Sequence, residues 1–303
     1  MLGSPTMSKT PSALHGIRIL SLALNLPGPA ALMRCRRMGA TCTKIEPPAG
    51  DPMGHYNRPA YDELHEGVKV LVADLKSPAG QEALHQELAR TDVLLTSFRP
   101  SALVKLGLGW PELRARYASL SQVAIVGAPG ERAEEPGHDL TYLADNGLIP
   151  GLELPATLYA DMAGSLMAAE AVLQAALRHH ERYGASGEAH PAGLYLEVAL
   201  SDAAGYLALP RRWGLTQPSG SVGGAHAGYR VYPCKDGRVA VAALEPDFAA
   251  ALCAAAGAPA SDIRAMFAPA THQAIAAFLA GRTRAELDAL AVERDIPLHT
   301  MPA

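Results

Sequence analysis

The sequence predicts a large doubly wound α/β domain followed by a smaller α+β domain. Short apolar segments alternate with segments of helical spacing over the first 200 residues, the pattern of parallel strands joined by crossover helices. A Gly- and Ser-rich stretch at 216–228 marks a change to two alternating strands joined by the turn KDG. We therefore expect a disordered N-terminus over 1–15, a large domain over 16–200, a linker over 201–222 and a small domain over 223–303.

The predicted large domain opens with a strand–helix–strand unit. GIRILSLAL is a short apolar run that ends at the turn NLPGPA, AALMRCRRMGA has helical spacing and closes at Gly39, and TCTKIEPP is a second strand. Such a unit indicates a parallel sheet with a right-handed crossover. Residues 49–68 are rich in Gly, Pro and His and predict a long loop of the kind that shapes binding sites.

The alternation continues to the end of the large domain and then changes. Further strands are predicted in VKVLVADL, DVLLTSF, SQVAIVGA and GLYLEVALSD. Further helices are predicted in PAGQEALHQELART, SALVKLG, WPELRARY and the longest segment, MAGSLMAAEAVLQAALRHHERYG. In the small domain, GYRVYPC and GRVAVAAL predict a hairpin, and two Ala-rich helices follow.

Composition excludes several classes of protein. The 303 residues carry a formal net charge of −4 with dispersed basic residues, so a nucleic-acid partner is not expected. No apolar run approaches the ~20 residues that span a bilayer, and the N-terminus lacks the apolar core of a signal peptide. The four cysteines show no CxxC spacing and are interpreted as buried thiols in a reducing compartment. We expect a cytoplasmic protein without a membrane partner.

Common cofactor and metal motifs are absent from the sequence. There is no GxGxxG after a strand, no GxxxxGK[ST] and no GxSxG, which disfavours nicotinamide, P-loop and hydrolase chemistry. RHHER at 178–182 resembles a metal site only weakly. It is better interpreted as the solvated end of a long helix, where basic side chains complement the negative dipole. No metal is therefore expected.

His138 and Asp161 each begin a helical segment, in GHDLTYLADNG and YADMAG. Taken singly, each could be a helix cap or a satisfied core residue. Taken together, they suggest a catalytic pair. A helix N-terminus favours a neutral imidazole that can act as a base, it favours an ionised carboxylate, and its free N–H groups can bind a developing oxyanion. Two bases beside an anion hole suit proton abstraction next to a carbonyl.

A series of motifs across residues 16–246 resembles one family. In order, they are LPGPAALMRCRRMGATCTKIEPPAGDP, VADLKSPAG, DVLLTSFRPSALVKLGLGW, GHDLTY, YADMAG and VAVAALEP. Their order and spacing are similar to those of the family III CoA-transferases, which include formyl-CoA transferase, carnitine CoA-transferase and α-methylacyl-CoA racemase. The resemblance implies a Rossmann-like large domain, an interlocked homodimer, and an acyl-CoA thioester as substrate, with no further cofactor.

The resemblance also implies roles for particular residues. The catalytic aspartate of the family matches Asp161, and the racemase-like branch adds His138 and Glu245, the latter in ALEP. Side chains expected to bind the CoA moiety or line the pocket are Lys76, Arg99, Lys105 and Tyr142.

Two reactions and one non-catalytic alternative fit these residues. In a racemase, His138 and Asp161 flank the α-carbon of the acyl-CoA, and Glu245 orients His138. In a CoA-transferase, Asp161 attacks the thioester, forms an aspartyl anhydride and exchanges it with a second carboxylic acid. The GHD and ALEP motifs favour the racemase-like reaction. The third hypothesis is a non-catalytic acyl-CoA-binding relative, because family members usually continue past the DIPLHTMPA of this chain.

Overall fold

The computed structural model describes residues 12–180, 192–259 and 263–303. They form two compact units, divided between Ala208 and Leu209. Residues 1–11 of the expected disordered N-terminus, and 181–182 of RHHER, lie outside the described residues. Residues 12–15 form a turn in which Leu14 is fully buried. The division of the chain falls within the expected linker, residues 201–222, and the first part of that stretch belongs to a helix over Leu200–Leu207 that packs on the first unit.

A six-stranded parallel sheet forms the centre of the first unit. Its strands are β1 (Arg18–Ser21), β2 (Thr41–Glu46), β3 (Lys69–Val72), β4 (Val93–Thr96), β5 (Ser121–Val126) and β6 (Tyr195–Ala199). The strand order is β3-β2-β1-β4-β5-β6, which confirms the predicted doubly wound sheet. The order reverses between β1 and β4, and ligands of such sheets bind in the crevice at the carboxyl ends of the strands on either side of this point.

Helices cover both faces of this sheet. They are α1 (Pro27–Arg37), α2 (Pro52–Tyr56), α3 (Arg58–Leu64), α4 (Pro78–Leu88), α5 (Pro100–Lys105), α6 (Trp110–Arg116), α7 (Asp139–Asp145), α8 (Tyr159–His180) and α9 (Leu200–Leu207). Apolar side chains of α1 and α8 form one core with Ile19, whereas those of α4, α5 and α6 form a second core with Leu20. Neighbouring residues of β1 belong to different cores because successive side chains of a strand point to opposite faces.

The prediction of a long loop over 49–68 is wrong, because this segment contains α2 and α3. Asp51 is the N-cap of α2, where its carboxylate accepts the backbone N–H of Met53 at 2.9 Å. Asn57 caps α3 in the same way by accepting the N–H of Ala60. A side-chain acceptor at the N-cap, followed by proline at one of the first two helical positions, favours a helix start even in a Gly- and Pro-rich segment.

The second unit contains a three-stranded antiparallel sheet and four α-helices among its described residues. The strands are β7 (Tyr229–Cys234), β8 (Gly237–Ala242) and β9 (Leu298–Met301), and the helices are α10 (Leu209–Arg212), α11 (Pro246–Ala256), α12 (Pro269–Ala280) and α13 (Arg284–Arg294). The predicted β7–β8 hairpin and the α+β class are confirmed. The count of two helices after the hairpin is wrong: α13 also forms, and β9 pairs with β8.

Two further sequence expectations concern cysteines and membrane spans. All four cysteines are free and buried, and burial raises the pKa of Cys35 and of Cys42 to about 12, so these two thiols stay protonated at neutral pH. Within the described ranges, no helix has both the length and the apolar composition needed to cross a bilayer.

Candidate active site

A cleft of about 620 Å³ lies in the first unit, at the carboxyl ends of β1, β4 and β5. Its walls include residues 24–27 after β1, residues 97–99 after β4 and Gly127 after β5. The cleft therefore lies at the point where the strand order reverses, which is the expected ligand position for this topology. Its volume is in the range of small-molecule sites, about 300 to 1,000 Å³.

His138 lies on the rim of this cleft at the start of α7. It is the N-cap residue of the helix, as the sequence allowed. Thr141 Oγ1 accepts the backbone N–H of His138 at 3.0 Å and donates to its carbonyl oxygen at 2.7 Å. The backbone of His138 is therefore fixed by Thr141, while the residue stays exposed at the cleft.

Asp161 and Asp139 also line the cleft. Asp161 is the third residue of α8, so it is not the N-cap that the sequence allowed. Its backbone N–H donates to Oδ1 of the buried Asp139 at 3.0 Å. This N–H is thus already bonded, and the expectation that free N–H groups lie beside the Asp161 carboxylate is wrong for the N–H of Asp161 itself.

The Asp161 carboxyl group is harder to ionise than the sequence predicted. Its pKa is raised from 3.8 to about 6, mainly because burial disfavours the charged form and secondly because the negative charge of Asp139 repels it; His138 has the opposite, smaller effect. The expectation that the helix N-terminus holds Asp161 ionised is therefore wrong in direction. A pKa of about 6 lies about one unit below neutral pH, so the Asp161 carboxyl can both accept and donate a proton there.

Two tyrosines also line the cleft within electrostatic reach of Asp161. The pKa of Tyr142 is raised by burial and then by the charge of Asp161, while Arg99 lowers it. Gly127 and Gly137 leave room for the Tyr142 ring, because a Cβ at either position would overlap it. The pKa of Tyr56 is likewise raised by burial, then by Asp51 and Asp161. No sequence motif pointed to Tyr56, which lies within the segment 49–68 that was expected to be a loop.

The basic residues expected to bind CoA are only partly at the cleft. Arg99 is a wall residue, whereas Lys76 and Lys105 are exposed and are not among the described residues that line the cleft. Near Arg99, the Glu134 carboxylate accepts the backbone N–H of Ser101 at 2.7 Å and its hydroxyl at 2.8 Å. These hydrogen bonds, followed by smaller effects of Arg99 and Lys105, lower the pKa of Glu134.

The remaining predicted residue, Glu245, belongs to the second unit. It is exposed and is the N-cap residue of α11. The cleft of the first unit therefore brings together His138, Asp161, Arg99 and Tyr142. Asp139 also belongs to this group. The only sequence feature that pointed to Asp139 is its position in the GHD motif.

One group of ligand-type side chains has the spacing of a metal site. Atoms of Glu46, Asp51 and His65, all buried, lie within 4.8 Å of one another. The Lys44 ammonium, however, lies 3.1 Å from Glu46 Oε1, 2.5 Å from Asp51 Oδ2 and 2.8 Å from His65 Nε2. The lysine thus supplies the positive charge at the centre of the group, and the arrangement does not fit a metal ion.

Comparison with known proteins agrees with this architecture. The chain matches the model of CoA-transferase family III over residues 14–301, and it therefore belongs to that family. Among characterised relatives, it is 34% identical over 159 residues to the cinnamoyl-CoA:phenyllactate CoA-transferase of Clostridium sporogenes, covering 48% of this chain and 38% of that protein. It is 30% identical over 258 residues to the human alpha-methylacyl-CoA racemase, covering 78% of this chain and 63% of that protein.

A solved structure supports the fold over nearly the whole chain. The crystal structure of the hypothetical protein Rv3272 from Mycobacterium tuberculosis superposes with a TM-score of 0.79 at 25% identity, covering 94% of this chain and 83% of that one. The expected family and its α/β fold are confirmed. Both transferases and a racemase occur among the relatives, so the family assignment alone leaves the reaction open.

Proposed function

We propose that the protein is an enzyme that acts on acyl-CoA thioesters in the cleft beside Asp161, and that its preferred reaction is proton exchange at the α-carbon of a 2-substituted acyl group. The observation that carries this proposal is the placement of His138 and Asp161 on one cleft at the switch point of the sheet. The match to a racemase over 78% of the chain supports it.

The chemistry requires two groups that can exchange protons. One of them removes the α-proton of the thioester to give an enolate, and the other returns a proton to the opposite face, which inverts the centre. Asp161, with a pKa of about 6, suits this task because general acid–base catalysis is most efficient when the catalytic pKa lies near the working pH. His138 is the second group, and Glu245 is proposed, from the family resemblance, to orient it.

CoA transfer is the second candidate, favoured by transferases among the relatives. Here a carboxylate oxygen of Asp161 attacks the thioester carbonyl, and the C–S bond breaks to release CoA thiolate and leave a mixed anhydride. The thiolate then attacks the aspartyl carbonyl, which releases the first acid and leaves a thioester between Asp161 and CoA. A second carboxylate attacks this thioester and displaces the CoA thiolate, which gives a second anhydride. The thiolate then attacks the acyl carbonyl of that anhydride, so that the new acyl-CoA leaves and the Asp161 carboxylate is restored. The third candidate is an acyl-CoA-binding protein without turnover.

One assay separates these three functions. The protein is incubated in heavy water with a panel of 2-methylacyl-CoA substrates and free carboxylic acids, and the products are resolved by mass spectrometry. Deuterium at the α-carbon indicates α-proton exchange, and a new acyl-CoA indicates transfer. His138→Ala should lower exchange from the face of the α-carbon that His138 serves by about 10²- to 10⁴-fold and leave any transfer largely intact. Full exchange into both epimers in His138→Ala would contradict the two-base mechanism, and turnover of any thioester would exclude the third candidate.

The proposal also includes binding of the CoA moiety near Arg99. Because Arg99 lines the cleft and Lys76 does not, Arg99→Ala should weaken CoA binding in calorimetry more than Lys76→Ala. Lys105, which lies near Arg99 at the end of α5, should have an intermediate effect. Equal affinities for CoA in all three variants and the original protein would contradict this placement.

We further propose a homodimer, as the family resemblance implies. Leu158, directly before α8, is followed at intervals of four residues by Met162 and Leu166 within the helix, and each of the three is more than one-third exposed. Residues at this spacing share one helix face, and an exposed apolar face of this kind is typical of a protein–protein contact. The partner expected on this face is a second copy of the chain.

A further inference from the structure

A fully buried lysine lies at the centre of the polar group on β2. The Lys44 side chain is 0% exposed, and its ammonium contacts the carboxylates of Glu46 and Asp51. Glu46 also accepts the Tyr61 hydroxyl at 2.9 Å and the Asp51 backbone N–H at 3.2 Å. A buried charge is tolerated only when it is paired and hydrogen-bonded, and these contacts meet that condition.

Asp51 connects this group to two other segments. Its carboxylate accepts the backbone N–H of Asn25 at 3.1 and 3.2 Å, and the N–H of Met53 at 2.9 Å. Asn25 belongs to the turn between β1 and α1, and Met53 belongs to the first turn of α2. One carboxylate therefore fixes the ends of two elements that both contribute residues to the cleft, Asn25 from the turn and Tyr56 from α2.

The turn at Asn25 has a backbone conformation that needs support. Asn25 has φ of 64°, in the left-handed region, and is one of only two non-glycine residues with positive φ in the described chain. For an L-residue, this conformation is disfavoured by roughly 5- to 30-fold relative to the right-handed one, less for asparagine than for most residues. The hydrogen bonds from its N–H to Asp51 favour the left-handed conformation, because a change of Asn25 to the right-handed conformation would have to rearrange them.

We propose that Asp51, paired with Lys44, is a positioning residue of the active site: it keeps Asn25 in the left-handed conformation and thereby fixes the cleft wall formed by residues 24–27. Asp51 does not contact the substrate in this proposal. It acts through the turn, and the Lys44 ammonium, which pairs with its carboxylate, orients it. The catalytic consequence rests on the proposed function, whereas the effect on the turn does not.

Glycine at position 25 provides the decisive variant. Asp51→Ala removes the acceptor for the Asn25 N–H but leaves Lys44 paired with Glu46, so no buried charge loses its last partner. Asn25→Gly makes the left-handed conformation accessible without strain. If Asp51 acts through this conformation, Asn25→Gly should rescue Asp51→Ala. A general loss of packing would not be corrected by removing a side chain elsewhere.

Two measurements on the full chain test this proposal. The first is hydrogen exchange by mass spectrometry of the peptide that contains residues 24–30, and the second is kcat/KM with an acyl-CoA turned over by the unmodified protein. Asp51→Ala should accelerate exchange in this peptide and lower kcat/KM by roughly 5- to 30-fold. The double variant should recover kcat/KM, and the exchange of the other amides of this peptide, to within about threefold, whereas the N–H of residue 25 still lacks its acceptor. Asp62→Ala, which removes an exposed acid on α3, is the matched control and should change neither.

The outcomes are distinguishable from failure of the proposed function. Unchanged exchange in Asp51→Ala, or no rescue by Asn25→Gly, would overturn the positioning role. Faster exchange with unchanged kcat/KM would overturn its link to the active site. If the unmodified protein turns over no acyl-CoA, the proposed function fails, and the exchange measurement alone still decides whether Asp51 holds the turn. Should Asp51→Ala not fold, Asp51→Asn keeps an acceptor for the Asn25 N–H and should retain slow exchange in the peptide.

Discussion

Asp161→Asn should make the folded protein more stable at neutral pH while abolishing its proposed activity. The carboxyl group is half-buried, and its ionised form is disfavoured by burial and by the charge of the neighbouring Asp139. Asparagine has nearly the same shape but no charge. It therefore avoids the cost of an ionised Asp161, while the backbone N–H at position 161 can still donate to Asp139.

The expected gain in the free energy of unfolding follows from the raised pKa of Asp161. A rise from 3.8 to about 6 corresponds to about 3 kcal/mol at 1.36 kcal/mol per pKa unit, for a fully ionised group. Solvent screening of the partly exposed carboxylate reduces this value, and the loss of an acidic residue from the first turn of α8 offsets another few tenths. The net gain in the free energy of unfolding at pH 7.5 should be about 1 to 2 kcal/mol.

The sign of this effect depends on pH. Because the pKa of Asp161 is higher in the folded than in the unfolded chain, the folded state binds more protons between pH 4 and 6. The stability of the unmodified protein therefore decreases as pH rises through about 6. The advantage of Asp161→Asn should be present above that pH and absent near pH 4.

Urea unfolding at pH 7.5 and at pH 4 measures the difference in free energy of unfolding between Asp161→Asn and the original protein at each pH. Glu170→Gln is the matched control, since Glu170 is an exposed acid on the same helix and its substitution should change stability by less than about 0.5 kcal/mol. An Asp161→Asn variant that is no more stable than the original protein at pH 7.5 would refute the reasoning. So would a gain of equal size at both pH values.

Three further predictions concern the cleft and the exposed face of α8. Asp139→Asn should lower the pKa of Asp161 and so move the acid limb of the profile of kcat/KM against pH from near pH 6 to lower pH. An acid limb that does not move would show that Asp139 does not raise this pKa. Gly127→Ala should displace the Tyr142 ring and lower kcat/KM roughly 10- to 100-fold, and unchanged kinetics would contradict the packing of these two residues. Leu166→Asp should weaken dimerisation in sedimentation, whereas an original protein that sediments as a monomer at all concentrations would refute the dimer.

The large-scale architecture could be predicted because it depends on local pattern. Apolar runs such as the one containing Ile19 and Leu20 have the length and composition of buried parallel strands, and helical segments separate them regularly. The strand β9 was missed because LHTM is only four residues long and half-buried, so it carries little periodicity. Its pairing with β8 is a long-range contact that no local window contains.

The candidate site was predictable only in part. His138 and Asp161 stand at helix starts, a feature that the sequence shows, and both line the cleft. The effect of Asp139 on Asp161 was not predictable, since it depends on a hydrogen bond between residues 22 positions apart and on burial of both groups. Lys44 was missed for a related reason. A lysine in a strand normally indicates an exposed face, and only the three-dimensional structure brings Asp51 to it.

The most direct test of the central claim is turnover of acyl-CoA by the original protein and by Asp161→Asn, compared in heavy water under the same conditions. Folding of the variant is verified by its unfolding transition, so that loss of activity can be assigned to the missing carboxylate. The account predicts α-deuterated acyl-CoA or a transferred CoA thioester from the original protein, and neither product from Asp161→Asn. Either product formed at an undiminished rate by Asp161→Asn would contradict the assignment of this cleft as an active site that depends on the Asp161 carboxylate.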